Sequence, residues 1–222
     1  MLITGIVGQN GVNDTANLVN SIFSSTGKKI SIVDAKNLAG LDSKRIKSYV
    51  FELLKSGIDI LILKINLQNS GEEILESIHF DVMIYTDKAD EFKEDQGNDH
   101  EHFLKRMISL LDEKGIAILN ADDSEIIQFV QGMKHPIVTY GFNSKASVTT
   151  SSIGDPVFNG NFICSLQQTI STKNGRMIEP QEYIIPVQAG DTDSYNILAA
   201  ASFAIVNGVD LNSLAPSGMK LQ

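Results

Sequence analysis

Several features that are common in proteins are scarce or missing in this chain of 222 residues. It has one cysteine, Cys164, so no disulfide can form within the chain, and a reducing compartment is favoured. No apolar run approaches the roughly 20 residues that a membrane-spanning helix needs. Its first residues, MLITGIVG, lack the basic region of a signal peptide. These absences predict a soluble, cytoplasmic protein.

Positive charge is also scarce. The chain has 18 Lys and Arg against 27 Asp and Glu, a net charge of −9. An acidic surface repels phosphate backbones and anionic lipids, so we expect neither nucleic acid nor a membrane as a partner. The acidic stretch at 87–101 lacks the ligand spacing of a calcium loop, and we predict no metal site there.

The first 141 residues alternate short apolar stretches with segments of helical periodicity. This alternation, with short connections, predicts a doubly wound, mostly parallel α/β sheet. The predicted strands are 2–7, 30–34, 58–65, 80–86, 116–120 and 137–141, and the predicted helices are 14–25, 43–56, 72–78, 103–111 and 126–130.

The pattern changes after Gly141. Residues 146–187 hold β-prone stretches separated by Asn-Gly turn signals, which predict a small antiparallel ribbon. An Ala-rich helix is predicted at 194–206. We therefore interpret 1–145 as the parallel part, 146–190 as the ribbon and 191–222 as a closing helix of one domain.

The stretch GIVGQNGVNDT at 5–15 has the rhythm of a phosphate-binding loop between a strand and a helix. Such loops close backbone N–H groups around phosphates, add a Lys for charge, and use a Ser or Thr hydroxyl on Mg²⁺. Here Val12 stands at the Lys position and Asn13 at the hydroxyl position. Glycine is also the usual residue of tight turns, so the loop alone favours a structural turn.

Four further segments change this interpretation. They are FDVMIYTD at 80–87, GIAILNADD at 115–123, VTYG at 138–141 and GDTDSYNILAAASFAIVNGVD at 190–210. Together with the loop, and in this order, the chain resembles the central ATP-binding domain of the Mur ligases, which join amino acids to peptidoglycan precursors. The resemblance implies a P-loop-like fold and an ancestral ATP-dependent carboxylate–amine ligase activity.

The resemblance also exposes departures. The family's phosphate-binding Lys falls on Val12 and its metal-binding Thr or Ser on Asn13. Its metal-binding Glu falls on Lys64, and a His of the same motif falls on Gln68. The family's carbamylated Lys falls on Lys105, which is the candidate catalytic residue.

The segments that surround the nucleoside in the family keep their polar residues. NADD at 120–123 either contacts the nucleoside or only caps a helix, and the sequence leaves both readings open. The predicted nucleotide-binding residues are Gly8, Gln9, Asn10, Gly11, Val12, Asn13, Asp14, Asn120, Asp123 and Asn196, and no metal ligands are predicted.

Lys64 and Asp14 suggest an exchange of charge across the former metal site. One hypothesis is that Lys64 occupies the cation space and pairs with Asp14, which would close the pocket. The alternative is that Lys64 extends towards solvent from a strand end while Asp14 stabilises the start of its helix.

Losing a Lys and a Mg²⁺ site removes charge-assisted contacts of about 1.5–3 kcal/mol each. We therefore expect weakened ATP binding, a lost Mg²⁺ site and impaired ligation. The alternative function is a pseudo-ligase that binds a nucleoside or a protein. Flanking ligase domains or a partner protein could supply the missing cations, and the sequence does not decide whether the chain is a piece of a larger ligase.

Overall fold

A computed structural model of the protein describes most of the chain. Among the predictions, the helices at 72–78 and 126–130, the residue Gln68 and nearly all of the stretch 87–101 lie outside the described residues. The described residues are 1–66, 77–87, 105–123, 126, 133–150, 157–158, 160–187 and 193–214.

A sheet of ten strands forms the centre of the fold. Its strands are β1 (Leu2–Val7), β2 (Ile30–Asp34), β3 (Ile60–Ile65), β4 (Phe80–Tyr85), β5 (Leu111–Asn120), β6 (Ile137–Tyr140), β7 (Val148–Thr150), β8 (Val157–Phe158), β9 (Asn161–Leu166) and β12 (Gln181–Pro186). Between β9 and β12, the strands β10 (Ile170–Ser171) and β11 (Met177–Ile178) form a separate two-stranded sheet. The strand order is β12-β9-β7-β6-β5-β4-β1-β3-β2, and β8 pairs with β9.

The strands from β2 to β7 are parallel, and β8, β9 and β12 add antiparallel pairs. The order reverses around β1, which lies between β3 and β4. In doubly wound sheets, a ligand cleft forms at the carboxyl ends of the strands where the order reverses. The loop that follows β1 lies at this point.

Three described helices cover the sheet: α1 (Val12–Ser25), α2 (Ser43–Lys55) and α3 (Ser194–Val206). Helix α3 is mostly Ala and large apolar residues, and eleven of its thirteen residues are buried. It packs with α1 on one face of the sheet, where the rings of Phe23 and Phe203 lie 5.2 Å apart. Helix α2 lies on the other face and buries only Ile46, and Met107, Ile108 and Leu110 pack into the same core.

Three details differ from the prediction. Helix α1 begins at Val12 rather than residue 14, because Gly11, at φ 69°, takes the left-handed conformation that lets the chain enter the helix earlier. Residues 105–109 are helical, but β5 begins at Leu111. The first strand of the ribbon, β7, is not purely antiparallel: it pairs in parallel with β6 and antiparallel with β9, and so links β9 and β12 to the main sheet.

The predicted doubly wound, mostly parallel architecture is confirmed. Among the described residues, no helix has both the length and the apolar character needed to cross a membrane.

Candidate functional site

A cleft lies over the carboxyl ends of β1, β2 and β3. Its volume is about 410 Å³, within the range of about 300–1,000 Å³ typical of small-molecule sites. It is lined by Gly8, Gln9, Asn10, Gly11, Val12, Asn13, Asp14, Asp34, Lys36, Lys64 and Asn66. The structure thus brings together all seven predicted residues of the loop.

Two glycines allow the loop to pass close to its neighbours. A Cβ atom at Gly8 would lie 2.3 Å from the hydroxyl oxygen of Thr86 and 2.9 Å from a carboxylate oxygen of Asp87. A Cβ atom at Gly11 would lie 2.4 Å from Oδ1 of Asn196, and the φ of Gly11 is 69°. The loop conformation therefore requires glycine at both positions.

The buried carboxylate of Asp87 holds the loop from below. It follows β4 and accepts the backbone N–H of Gln9 at 2.7 Å and that of Asn10 at 2.9 Å. Thr86 adds a bond from its hydroxyl to the carbonyl of Asn10 at 2.7 Å. Two amides of the loop are thus already bonded to an anion of the protein itself.

The first turn of α1 faces the cleft without a side-chain cap. Gly11 occupies the N-cap position and offers no side chain to bond the first N–H groups. These N–H groups and the positive end of the helix dipole favour an anion. Asn196, predicted to bind nucleotide, lies buried behind this turn, where its Oδ1 accepts from the hydroxyl of Thr15 at 3.3 Å.

Lys64 supplies a cation that does not come from the loop. It pairs in register with Ile6 of β1, so its side chain starts beside the loop. The ammonium donates to Oδ1 of Asn13 at 2.7 Å and lies 4.0 Å from the carboxylate of Asp34. The predicted ion pair between Lys64 and Asp14 is wrong, since among the described residues the carboxylate within 4.0 Å of Lys64 is that of Asp34. The carboxylate that it approaches instead ends the neighbouring strand β2.

The contact between Lys64 and Asn13 disfavours Mg²⁺ at this point of the cleft. Mg²⁺ requires about six oxygen ligands in an octahedron, and the oxygen of Asn13 already accepts from the Lys64 ammonium. Two positive charges about 4 Å apart repel each other by about 4 kcal/mol at an effective dielectric constant of about 20. Within the described residues, no group of three or more acidic, His or Cys side chains is placed to hold a metal ion.

A second polar cluster lies beyond the loop, at the ends of β5 and β6. The carboxylate of Asp122 accepts the backbone N–H of Phe142 at 2.6 Å and of Asn143 at 2.8 Å. The hydroxyl of Tyr195 also donates to it at 3.0 Å, and the ring of Tyr195 meets that of Phe142 edge-on at 5.0 Å. Burial, and then the bond to Asp122, raise the pKa of Tyr195 above its usual value.

Tyr140 is buried near the carboxylates of Asp87 and Asp122. Its hydroxyl donates to the carbonyl of Tyr85 at 2.8 Å. Burial is the main reason that its pKa is raised, and the charges of Asp87, Asp193 and Asp122 add to the shift. The phenol is therefore a neutral hydrogen-bond donor at physiological pH.

The predicted residues at the end of β5 make local contacts. Oδ1 of Asn120 accepts the backbone N–H of Asp122 at 3.0 Å, and Oδ1 of Asp123 accepts that of Ile126 at 3.1 Å. The bond from residue 126 back to residue 123 has the spacing of a helix cap. A nucleoside role for Asn120 and Asp123 stays a prediction.

Lys105 is not among the residues that line the cleft. It is exposed in the helical segment 105–109, which leads directly into β5. Because the N–H of Phe80, the first residue of β4, bonds the carbonyl of Leu110, the end of this segment lies at the amino edge of the sheet. The cleft lies at the opposite edge, and the catalytic role of Lys105 stays a prediction.

Four residues around the loop were not predicted as site residues. Asp34 ends β2, Lys36 follows it, Asn66 follows β3 and Asp87 follows β4. The signal that could have found them is topological, because polar residues at the carboxyl ends of adjacent parallel strands meet at one edge.

Comparison with known proteins identifies the family of this chain. Residues 6–204 match the model of the Mur ligase middle domain. The chain belongs to the Mur ligase family. Over 236 residues it is 24% identical to the chloroplastic UDP-N-acetylmuramoyl-L-alanyl-D-glutamate–2,6-diaminopimelate ligase MurE homologue of Zea mays, with 96% of this chain and 30% of the maize protein covered. The predicted family is confirmed.

Solved structures of Mur ligases share the fold. UDP-N-acetylmuramoylalanyl-D-glutamyl-2,6-diaminopimelate–D-alanyl-D-alanyl ligase of Acinetobacter baumannii superposes with a TM-score of 0.69 at 16% identity, covering 100% of this chain and 47% of that protein. MurF ligase of Thermotoga maritima, in complex with ADP, gives 0.60 at 14% identity, covering 96% of this chain and 48% of that protein. The chain therefore spans half or less of the length of each of these three relatives.

Proposed function

We propose that this chain is a Mur ligase middle domain that binds a nucleotide weakly and without metal, and that has lost ATP-driven ligation. The relatives are named as ligases that join amino acids or a dipeptide to peptidoglycan precursors. Their reaction class, in which ATP drives joining of a carboxylate to an amine, is the ancestral activity that we assign to this chain.

One observation carries the proposal: the Lys64 ammonium lies 2.7 Å from Oδ1 of Asn13. Phosphoryl transfer depends on cations that neutralise the triphosphate and the charge of the transition state, and Mg²⁺ usually supplies most of this. An ammonium in this place carries one charge and repels a metal ion. Support also comes from Asp87, whose carboxylate already uses two amides of the loop.

Nucleotide binding is supported by what remains of the cleft. Its volume of about 410 Å³ and the uncapped first turn of α1 suit a phosphate group. Tyr195, Phe142 and Asp122 offer an aromatic and polar surface beyond the loop, at the ends of β5 and β6. A solved relative binds ADP.

Calorimetric titration with ATP, ADP and adenosine tests the proposal, with each ligand measured in Mg²⁺ and in excess EDTA. We expect weak binding of ATP and ADP that is the same in both buffers. Tight binding of ATP that requires Mg²⁺ would contradict the proposal.

A ligation assay with Mg²⁺-ATP measures release of ADP and phosphate from the same preparation. We expect none above the buffer blank with peptidoglycan precursors and amino acids as substrates. The alternative function is an active ligase in which flanking domains or a partner protein supply the missing cations. ADP release by such an assembly, lost when this chain is omitted, would establish that alternative.

A further inference from the structure

We propose that the Lys64 ammonium replaces the divalent cation of this cleft and is itself the charge that binds a phosphate group. This inference rests on the proposed function and assigns its ligand contact. It also explains why metal should be dispensable, since the positive charge is part of the chain.

The positive charge of Lys64 is only partly balanced by its neighbours. Among the described residues, Asp34 is the carboxylate within 4.0 Å of Lys64, but that contact is long, and Asp34 lies closer to Lys36 at 3.2 Å. The short contact of Lys64 is with Asn13, whose amide oxygen is neutral. The ammonium is therefore oriented by a neutral oxygen and only weakly compensated by a carboxylate.

The Lys64 ammonium has more N–H donors than its described neighbours accept. An ammonium has three N–H donors. Among the described residues, Asn13 accepts one, and Asp34 is close enough for one more at most. At least one donor is left over, Lys64 borders the cleft, and its side chain keeps 24% of its surface exposed, so a ligand can reach it.

The first turn of α1 and Lys64 border the same cleft. The N-cap of this turn, Gly11, has no side chain to bond the N–H groups. An oxyanion between the Lys64 ammonium and this turn would accept from both, and tetrahedral phosphate has the oxygens to do so. Lys36, which borders the same cleft, adds a second positive charge.

The charge at position 64 also determines selectivity against metal. In an oxygen-lined site a carboxylate at position 64 would attract Mg²⁺ or Mn²⁺, whereas an ammonium repels it. Changing this one side chain should therefore change the type of cation that the cleft uses. Asn13 and Asp34, which contact the side chain at position 64, would then supply oxygen ligands to a metal.

Inorganic pyrophosphate is the probe for the charge contact, titrated by calorimetry in EDTA and in Mg²⁺. We expect wild-type protein to bind it equally in both, Lys64→Met to bind about 10- to 100-fold more weakly, and Lys64→Arg to stay within a few-fold of wild type. Lys28→Met is the matched control, because Lys28 is exposed and pairs with Asp59 away from the cleft. Unchanged binding by Lys64→Met, or no binding by wild type, would overturn the inference.

Mn²⁺ is the probe for the cation exchange and needs no nucleotide. We expect Lys64→Glu to bind Mn²⁺ at a single site, detected by the paramagnetic relaxation of water, while wild type and Lys64→Met bind none there. Wild-type binding of Mn²⁺ in the cleft would overturn the inference. Tight, Mg²⁺-dependent ATP binding by wild type would instead contradict the proposed function, so the two failures are distinguishable. Circular dichroism of each variant checks that it is folded.

Discussion

Asp87 and Asp122 perform the same local task at two places along the carboxyl edge of the sheet, but Asp87 is buried and Asp122 is exposed. Each carboxylate follows a parallel strand and accepts two backbone N–H groups of a neighbouring loop. Water reaches the exposed carboxylate of Asp122 but not the buried carboxylate of Asp87, so we expect Asp87 to stabilise the fold more.

Truncating the two carboxylates should produce the largest difference. We expect Asp87→Ala to lower the free energy of unfolding by about 2–4 kcal/mol, because two backbone N–H groups of the loop lose their bonds to a buried carboxylate. Asp122→Ala, the matched change at the exposed end, should cost about 1 kcal/mol. Urea denaturation of both variants measures this, and equal losses would show that burial does not separate the two ends.

Crowding at Gly8 should have the next largest effect. Gly8→Ala places a Cβ atom 2.3 Å from the hydroxyl oxygen of Thr86, and such overpacking costs about 1–3 kcal/mol. Removing that hydroxyl in the double variant Gly8→Ala with Thr86→Ala should recover part of the loss. Thermal unfolding gives the coupling energy, and strictly additive losses would argue against the contact as the cause.

Tyr195→Phe tests the exposed end more finely. The variant loses the hydroxyl bond to Asp122, and we expect a loss of about 1 kcal/mol at pH 7. The pKa of Tyr195 is raised in the folded state, mainly by burial, so its contribution is present below about pH 10 and is lost as pH rises further. Above pH 10 the free energy of unfolding should therefore fall less steeply with pH for the variant than for the wild type. Urea denaturation at intervals from pH 7 to 11 checks the slope, and parallel curves would contradict it.

Lys64→Met should have the smallest effect on stability. Its ion pair is long and partly exposed, and such pairs contribute about 0–1 kcal/mol. We expect a change of less than about 0.5 kcal/mol in urea denaturation, measured beside Lys28→Met. A larger loss would mean that Lys64 acts mainly as a structural residue rather than as a ligand contact.

The sequence predicts most helices and strands well because local patterns of apolar residues determine them. The apolar runs of β1 to β4 and the periodicity of α1, α2 and α3 are visible without tertiary contacts. The pairing of β7 with β6 is not, because strand neighbours are chosen by contacts between residues distant in sequence. For this reason the sequence predicts the antiparallel ribbon but not the parallel pairing of its first strand, β7, with β6.

The site is predictable in its location but not in its contacts. A glycine-rich loop after the first strand places the cleft correctly. The partner of Lys64 depends on which residue of the first turn of α1 faces β3, and successive residues of a helix point about 100° apart. One position therefore separates the expected Asp14 from the observed Asn13.

The two sides of the cleft differ in how firmly they are held. Helices α1 and α3 share one buried core, so the side that carries the loop is stiff. On the other side, β2 has a single strand neighbour in the described part of the chain, and all five of its residues are partly exposed. Since Asp34 and Lys36 belong to this compliant side, a ligand of different size is accommodated there at the lowest cost, and the width of the cleft depends on how far β2 bends.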